Sequence, residues 1–215
     1  MKQGLIFDLD GTLVDSLQGI ASSLNHALNL SGMPIHQLEA VRGFIGNGAR
    51  LLIERGVPAG TAEALVGTVE QAFKENYECT WPQGTVAYDG IVELLKNLQK
   101  QNFPLAILSN KPHAFTEIIA TQLFPGVEFT CVLGQREGIP HKPDPAGALE
   151  IAHILGIEPQ DCTIIGDSTM DIEAARNAGM KVIAVTWGFQ EREHLIAAGA
   201  YQIADDLAEL SAMLE

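Results

Sequence analysis

Asp8 and Asp10 follow directly on the apolar run Leu5-Ile6-Phe7, and Gly11 and Thr12 come next. A short apolar run reads as a buried strand, and Gly11 as the turn that ends it. The strand period of two places both carboxylates on one side, at the strand's carboxyl end. Two carboxylates crowded there repel unless a cation or a proton separates them. Open parallel sheets bind ligands at this same edge, so the pair is a candidate chemical site. An Asp-x-Asp-Gly stretch can also be a plain turn or the start of a calcium loop. The calcium loop needs further acidic groups at alternate positions, which Leu13, Val14 and Ser16 do not supply.

Three later segments bear on that pair. Leu108-Ser109-Asn110-Lys111-Pro112 offers a hydroxyl and free backbone amides at a strand end ahead of a helix. That is an anion site, although a serine there is equally an ordinary helix cap. In His141-Lys142-Pro143-Asp144-Pro145 the prolines fix the backbone of Lys142 just ahead of a helix. An ammonium held at the sheet edge can neutralise a carboxylate or a phosphate, whereas a surface lysine is solvated and idle; His141 receives no role. Ile165-Gly166-Asp167-Ser168-Thr169-Met170-Asp171 again puts acidic groups after a buried strand. A helix starting between Asp167 and Asp171 brings both toward one locus. Asp171 alone could serve as a helix cap, which leaves Asp167 at the strand exit unexplained. A third carboxylate there makes a hard oxygen site suited to Mg²⁺.

Elements must carry these segments to one place. Residues 16–77 read as helical throughout: Ile20, Leu24, Ala27 and Leu28 recur at helical spacing before Gly32 and Pro34. A short segment over 36–41 follows, then a helix with Leu51, Leu52 and Ile53. Another is capped by Thr61 and carries Leu65, Val69 and Phe73. From Trp81 onward helices and strands alternate: helices over 90–101, 114–123, 146–155 and 170–178, and strands over 105–108, 129–133, 163–165 and 182–185. Gly179 closes the 170–178 helix. A helix from about Gln190 and a short strand near Tyr201 complete the pattern. Strands alternating with helices predict an α/β fold with a doubly wound parallel sheet. The strand-free stretch reads as a small all-helical domain inserted after the first strand. The expected division is a core of 1–15 and 82–215 and a helical domain of 16–81.

The chain has 215 residues, 47% of them hydrophobic, and carries a net charge of −14. The apolar share supplies a core. The charge argues against nucleic acid and anionic membranes, but not against a small phosphorylated ligand, where a bound cation dominates the local field. There is no apolar run of about 18 residues to span a bilayer, and a strand starting so near Met1 leaves no room for a signal peptide. Cys79, Cys131 and Cys162 are sparse and without a Cys-x-x-Cys pattern. They fit reduced thiols and a cytoplasmic location, and Cys131 and Cys162 lie in apolar runs that would bury them.

In this order, the four segments resemble the motifs of the haloacid dehalogenase superfamily of phosphatases, over essentially the whole chain. Asp8-Leu9-Asp10-Gly11-Thr12 is similar to its first motif, Ser109 to its second, Lys142 to its third and Gly166-Asp167-x-x-x-Asp171 to its fourth. The resemblance implies a Rossmann-like core with a helical cap. It also implies a small phosphorylated substrate, Mg²⁺ as cofactor, and a monomer or homodimer. By the resemblance Asp8 is the nucleophile that forms an aspartyl-phosphate, and Asp10 the general acid and then base. The metal would be held by Asp8, the Asp10 carbonyl and Asp167. The phosphoryl oxygens would be held by Ser109, Lys142 and the amides of Leu9 and Asn110. Asp171 would orient Lys142 or a metal-bound water, and Arg42 on the cap would contact the substrate. Within the superfamily the chain resembles phosphoglycolate phosphatases, through Leu13-Val14-Asp15-Ser16 and Arg42-Gly43-Phe44-Ile45-Gly46-Asn47-Gly48. A phosphosugar mutase and a pyrophosphatase share all four motifs and stay open. A receiver-type phospho-acceptor shares the Asp, Lys and Mg²⁺ but has no helical cap. Gln135-Arg136-Glu137 has no assigned role.

Overall fold

The computed structural model describes residues 3–214; the outermost positions of the expected core, 1–2 and 215, lie outside them. Six strands form one parallel sheet: β1 (Gly4–Phe7), β4 (Leu105–Pro112), β5 (Phe129–Gln135), β6 (Cys162–Gly166), β7 (Lys181–Val185) and β8 (Ile203–Ala204), in the order β5-β4-β1-β6-β7-β8. The first strand in sequence is therefore central, with β4 on one side and β6 on the other. Phe7 stands level with Ile107 of β4 and Ile165 of β6. The residues that leave these three strands consequently emerge side by side. This is the point where strand order reverses and a crevice opens.

All four residues of β1 are buried, and the pleat divides them between two apolar layers. Leu5 and Phe7 join one layer with α5 (Ile91–Lys100), α6 (His113–Leu123) and α10 (Leu207–Leu214); Ile6 joins the other with α7 (Ala146–Leu155), α8 (Thr169–Ala178) and α9 (Arg192–Ala197). Cys131 and Cys162 are buried in the second layer and Cys79 is exposed. Gly179 ends α8 in the left-handed region, at φ +70°, as a residue without a Cβ can do at little cost.

The stretch after β1 is helical: α1 (Leu17–Leu30), α2 (Leu38–Arg42), α3 (Gly48–Gly56) and α4 (Glu63–Thr80). Ile20, Leu24, Ala27 and Leu28 all face inward, and α4 packs along α1. The apolar interior of this insert is continuous with the first layer through Leu24, Val69, Phe73 and Tyr77. Three expectations are corrected here. Leu65 is exposed and the buried stripe of α4 is Val66, Val69, Phe73 and Tyr77, one position later in the helical period. Leu51 is likewise exposed while Leu52 and Ile53 are buried. Thr61 does not cap α4, because its hydroxyl donates to the carbonyl of Pro58 at 2.7 Å.

Two strands too short to leave a periodic signal, β2 (Val14–Asp15) and β3 (Val86–Ala87), pair antiparallel and tie the two ends of the insert together. Helix α10 extends the chain past the last strand expected from the sequence. Among the described residues no helix is long and apolar enough to cross a membrane.

Candidate active site

Asp8 and Asp10 lie beyond the last residue of β1, so a turn rather than the strand pleat carries them. Asp8 continues the ladder for one bond, its amide donating to the carbonyl of Ile165 at 2.8 Å. The chain then folds back as the amides of Leu13 and Val14 reach the carbonyl of Leu9. Both carboxylates line one cleft of about 740 Å³, counting the part open to solvent, together with Ser109, Asn110, Lys111 and Asp167.

Ligand atoms of Asp8, Asp167 and Asp171 lie within 4.8 Å of one another, and all three residues are buried. Lys142 partly offsets this charge. Its ammonium is 2.9 Å from Asp8 Oδ1 and 2.6 Å from Asp171 Oδ1, and it donates to the carbonyl of Leu108 at 3.0 Å. Burial opposes the lysine's charge, but Asp171 and Asp8 outweigh it and hold its pKa above the usual range. Burial is also the largest influence on Asp8, pushing it up to about 7, with Lys142 acting against that and Asp171 adding to it. Asp167 is raised well above an ordinary carboxyl by burial and then by Asp8 and Asp171. Among the described residues its oxygens meet only the Thr12 hydroxyl (3.0 Å) and the Phe189 amide (2.7 Å), both neutral donors.

The donor set therefore fits a small hard cation: oxygen ligands only, buried, and with more negative charge than Lys142 cancels. Asp171 is the poorest ligand of the three. One of its oxygens is held by Lys142, and the other accepts from the Ser168 amide (3.1 Å) and hydroxyl (2.6 Å). It is also the third residue of α8, in a reciprocal capping arrangement with Ser168. The cap and the lysine partner are thus the same side chain.

Gly11 makes this packing possible. Its φ is +85°, and a Cβ there would lie 2.2 Å from Asp167 Oδ2. Thr12 and Phe189 fix that carboxylate, so it cannot give way. Gly11→Ala is expected to lower the unfolding free energy in urea by more than about 1 kcal/mol, the cost of the left-handed backbone alone; an unchanged midpoint would show that the turn relaxes.

The remaining expected residues fall as follows. Ser109 lies inside β4, which runs on to Pro112, so it is not a helix cap; its Oγ accepts from the Lys111 amide at 3.2 Å. The Leu9 amide is taken by Asp8 Oδ1 at 2.7 Å. The Asn110 side chain is a clip: its Oδ1 accepts from the Lys142 amide (2.8 Å), and its Nδ2 donates to the carbonyls of Lys142 (3.1 Å) and Gly46 in the insert (2.9 Å). Arg42 is not among the residues lining the cleft. It lies 3.3 Å from Glu39, one turn back on α2, and borders an outer groove with Glu173 and His194. His141 packs its ring near Gly48, at the start of α3. Gln135 and Arg136 brace the loop before Lys142: Gln135 bonds the carbonyls of Arg136 and Ile139, and Arg136 makes a two-pronged pair with Glu150 of α7 (3.0 and 2.6 Å).

Sequence reasoning missed two contributions. Phe189 and Gln190, after β7, line the cleft; the rule that placed the other residues, exit from a parallel strand's carboxyl end, would have found them. Lys111, which the sequence marks only as a neighbour of Ser109, is buried with its ammonium 3.1 and 3.2 Å from the two oxygens of Asp10. Asp10 also accepts from the Ser16 hydroxyl at 2.6 Å.

Comparison with known proteins gives consistent matches along the chain. The family model for haloacid dehalogenase-like hydrolases matches residues 5–185. A phosphoglycolate phosphatase of Psychrobacter arcticus is 34% identical over 217 residues, covering 97% of this chain and 94% of that protein. One from Pseudomonas putida is 33% identical, covering 96% of this chain and 77% of its own length. A crystal structure from Lactobacillus delbrueckii subsp. bulgaricus, of a protein provisionally assigned as a phosphoglycolate phosphatase, superposes with a TM-score of 0.93 at 32% identity, covering 100% of this chain and 99% of that one.

Proposed function

The chain belongs to the haloacid dehalogenase-like hydrolase family, and from that premise we propose that it is a Mg²⁺-dependent phosphatase of small phosphate monoesters of the phosphoglycolate type. One observation carries the reading: three buried carboxylates converge, two of them share one ammonium, and among the described residues Asp167 meets no cation. Such a cluster takes a divalent ion and then an anionic ester. The relatives named phosphoglycolate phosphatase support the substrate class.

Asp8 is the nucleophile in this proposal. Its carboxylate attacks phosphorus, the ester oxygen leaves, and water later hydrolyses the acyl-phosphate, so that two easier steps replace one. Lys142 cancels the repulsion between Asp8 and the incoming phosphate, and Asp171 keeps the ammonium aimed. Asp10 delivers a proton to the departing alkoxide and takes one from the attacking water. Ser109 and the amides of Leu9 and Asn110 hold the phosphoryl oxygens, which requires Asp8 to release the Leu9 amide when substrate enters. Asp8, the Asp10 carbonyl and Asp167 would hold Mg²⁺, with Asp171 outside the ligand set. The ion would supply charge neutralisation at the phosphoryl oxygens. The helical insert, residues 16–81, is the cap that excludes bulk water. Arg42 belongs to its outer face rather than to the substrate contact.

Phosphate release from phosphoglycolate, pyrophosphate and a hexose phosphate, with Mg²⁺ and with EDTA, tests this. Mg²⁺-supported release from phosphoglycolate is expected, falling at least about 100-fold in EDTA, the scale of a metal's contribution to a phosphoryl transition state. The Mg²⁺ concentration needed should rise as pH falls through about 7, because Asp8 must lose its proton to act as a ligand. Release indifferent to EDTA sinks the metal. Isomerisation of the hexose phosphate, or pyrophosphate as the better substrate, sinks the substrate class.

A further inference from the structure

We propose that Lys111 is the residue that selects the substrate, by pairing with a carboxylate on the leaving group beside the ester oxygen. The assignment rests on the phosphatase reading above and deepens it. Lys111 lies in β4 two residues after Ser109, and Ser109, Asp10 and Lys111 all line the cleft. Among the described residues it is the one cation in that lining, which otherwise holds the carboxylates of Asp8, Asp10 and Asp167. Its ammonium touches both oxygens of Asp10 and sits 4.5 Å from the ring centre of Tyr77, on α4 of the insert. Helix, strand and turn thus converge on one buried charge.

Position follows from Asp10. A carboxylate that hands a proton to the leaving-group oxygen stands beside that oxygen, so an ammonium bound to the same carboxylate stands near the next atoms of the leaving group. An anion entering a cleft with three carboxylates is strongly disfavoured unless a cation meets it, and Lys111 is placed to do so. Much of the remaining wall is apolar: Ile20, Ile45, Leu52, Phe73 and Phe115. Those side chains give no partners to the hydroxyls of a sugar, each of which would lose its hydrogen bonds to water on entry. The fitting leaving group is short, carries one carboxylate and has little else that is polar. Lysine suits this task because a point charge on a flexible stem can shift from Asp10 toward the new anion.

Two matched pairs, each with a methyl group in place of the carboxylate, test the assignment. 3-Phosphonopropionate and propylphosphonate differ only in the carboxylate, as do phosphoglycolate and ethyl phosphate. By titration calorimetry with Mg²⁺, the wild-type protein is expected to bind 3-phosphonopropionate at least about 30-fold more tightly than propylphosphonate, the range of a buried charge-assisted contact. Lys111→Met should bring that preference to about threefold or less, and lower the kcat/KM ratio of phosphoglycolate to ethyl phosphate by a similar factor, mainly through KM. Lys111→Arg should keep most of the preference. Lys111→Gln gives the same reading should the methionine variant fail to fold.

Equal binding of the two phosphonates by the wild type overturns the assignment, as does a preference that survives loss of the charge. A fall in both esters by the same factor also overturns it, and would leave Lys111 as a support for Asp10 alone. Hydrolysis of neither ester by the wild type removes the phosphatase reading and this inference with it. Equal hydrolysis of both removes only the role of Lys111.

Discussion

Asp8→Asn is expected to reduce turnover of a phosphate monoester by roughly 10⁴-fold or more, the scale seen when a nucleophile is deleted from a machinery that acts as a unit. The same change should leave the fold intact or slightly firmer. Asparagine has the shape of aspartate, and it removes a negative charge from a site where burial already pushes the carboxyl up to about 7. Lys142 would keep Asp171 as its partner at 2.6 Å. Steady-state phosphate release and a thermal melt on the same preparation separate the two effects. A near-wild-type rate would remove Asp8 from the nucleophile's role, and a large fall in melting temperature would mean that the charge is structural.

Lys142→Met is expected to cost both stability and activity. It leaves Asp8 and Asp171 buried with no ammonium between them, the situation in which breaking a buried pair costs about 3–5 kcal/mol. The pH dependence has a definite sign. Without Lys142, which acts against burial, the Asp8 carboxyl rises further above its unfolded value. The folded protein then binds more protons, and its stability is lost as pH rises. Urea unfolding in EDTA should therefore show a much larger deficit at pH 8 than at pH 5. Equal deficits at the two pH values would mean that the loss is one of packing and not of charge. Activity should fall at both pH values, because nothing else then offsets the repulsion between Asp8 and the phosphate.

Residues that line the candidate site were legible because they obey a local rule. Asp8, Ser109 and Asp167 each stand at or just past the end of an apolar run, and such runs in an alternating pattern predict parallel strands. Side-chain partnerships were less legible. Lys111 and Lys142 are each a lysine followed by a proline, yet one meets Asp10 and the other meets Asp8 and Asp171. No local pattern distinguishes them. Arg42 shows a different limit: a guanidinium in the insert suggests a ligand contact, whereas the structure sets it 3.3 Å from Glu39 on its own helix and outside the cleft lining. Leu65 failed for a related reason, since an apolar stripe wide enough to include both Leu65 and Val66 does not say which edge faces the interior.

Chemistry and order along the chain were determined by the sequence: four segments, each with oxygen or ammonium groups at the exit of an apolar run, and a helical stretch between the first and the rest. Local propensity and period are properties of neighbouring residues, so they are written where they act. Which groups meet was decided only by the tertiary structure. The order β4-β1-β6 sets three strand ends side by side, and Gly11 lets the turn approach Asp167. The apolar continuity of the insert with one sheet face brings Tyr77 over Lys111. Those contacts join residues more than a hundred positions apart in some cases and depend on packing across the sheet, which no window along the chain contains.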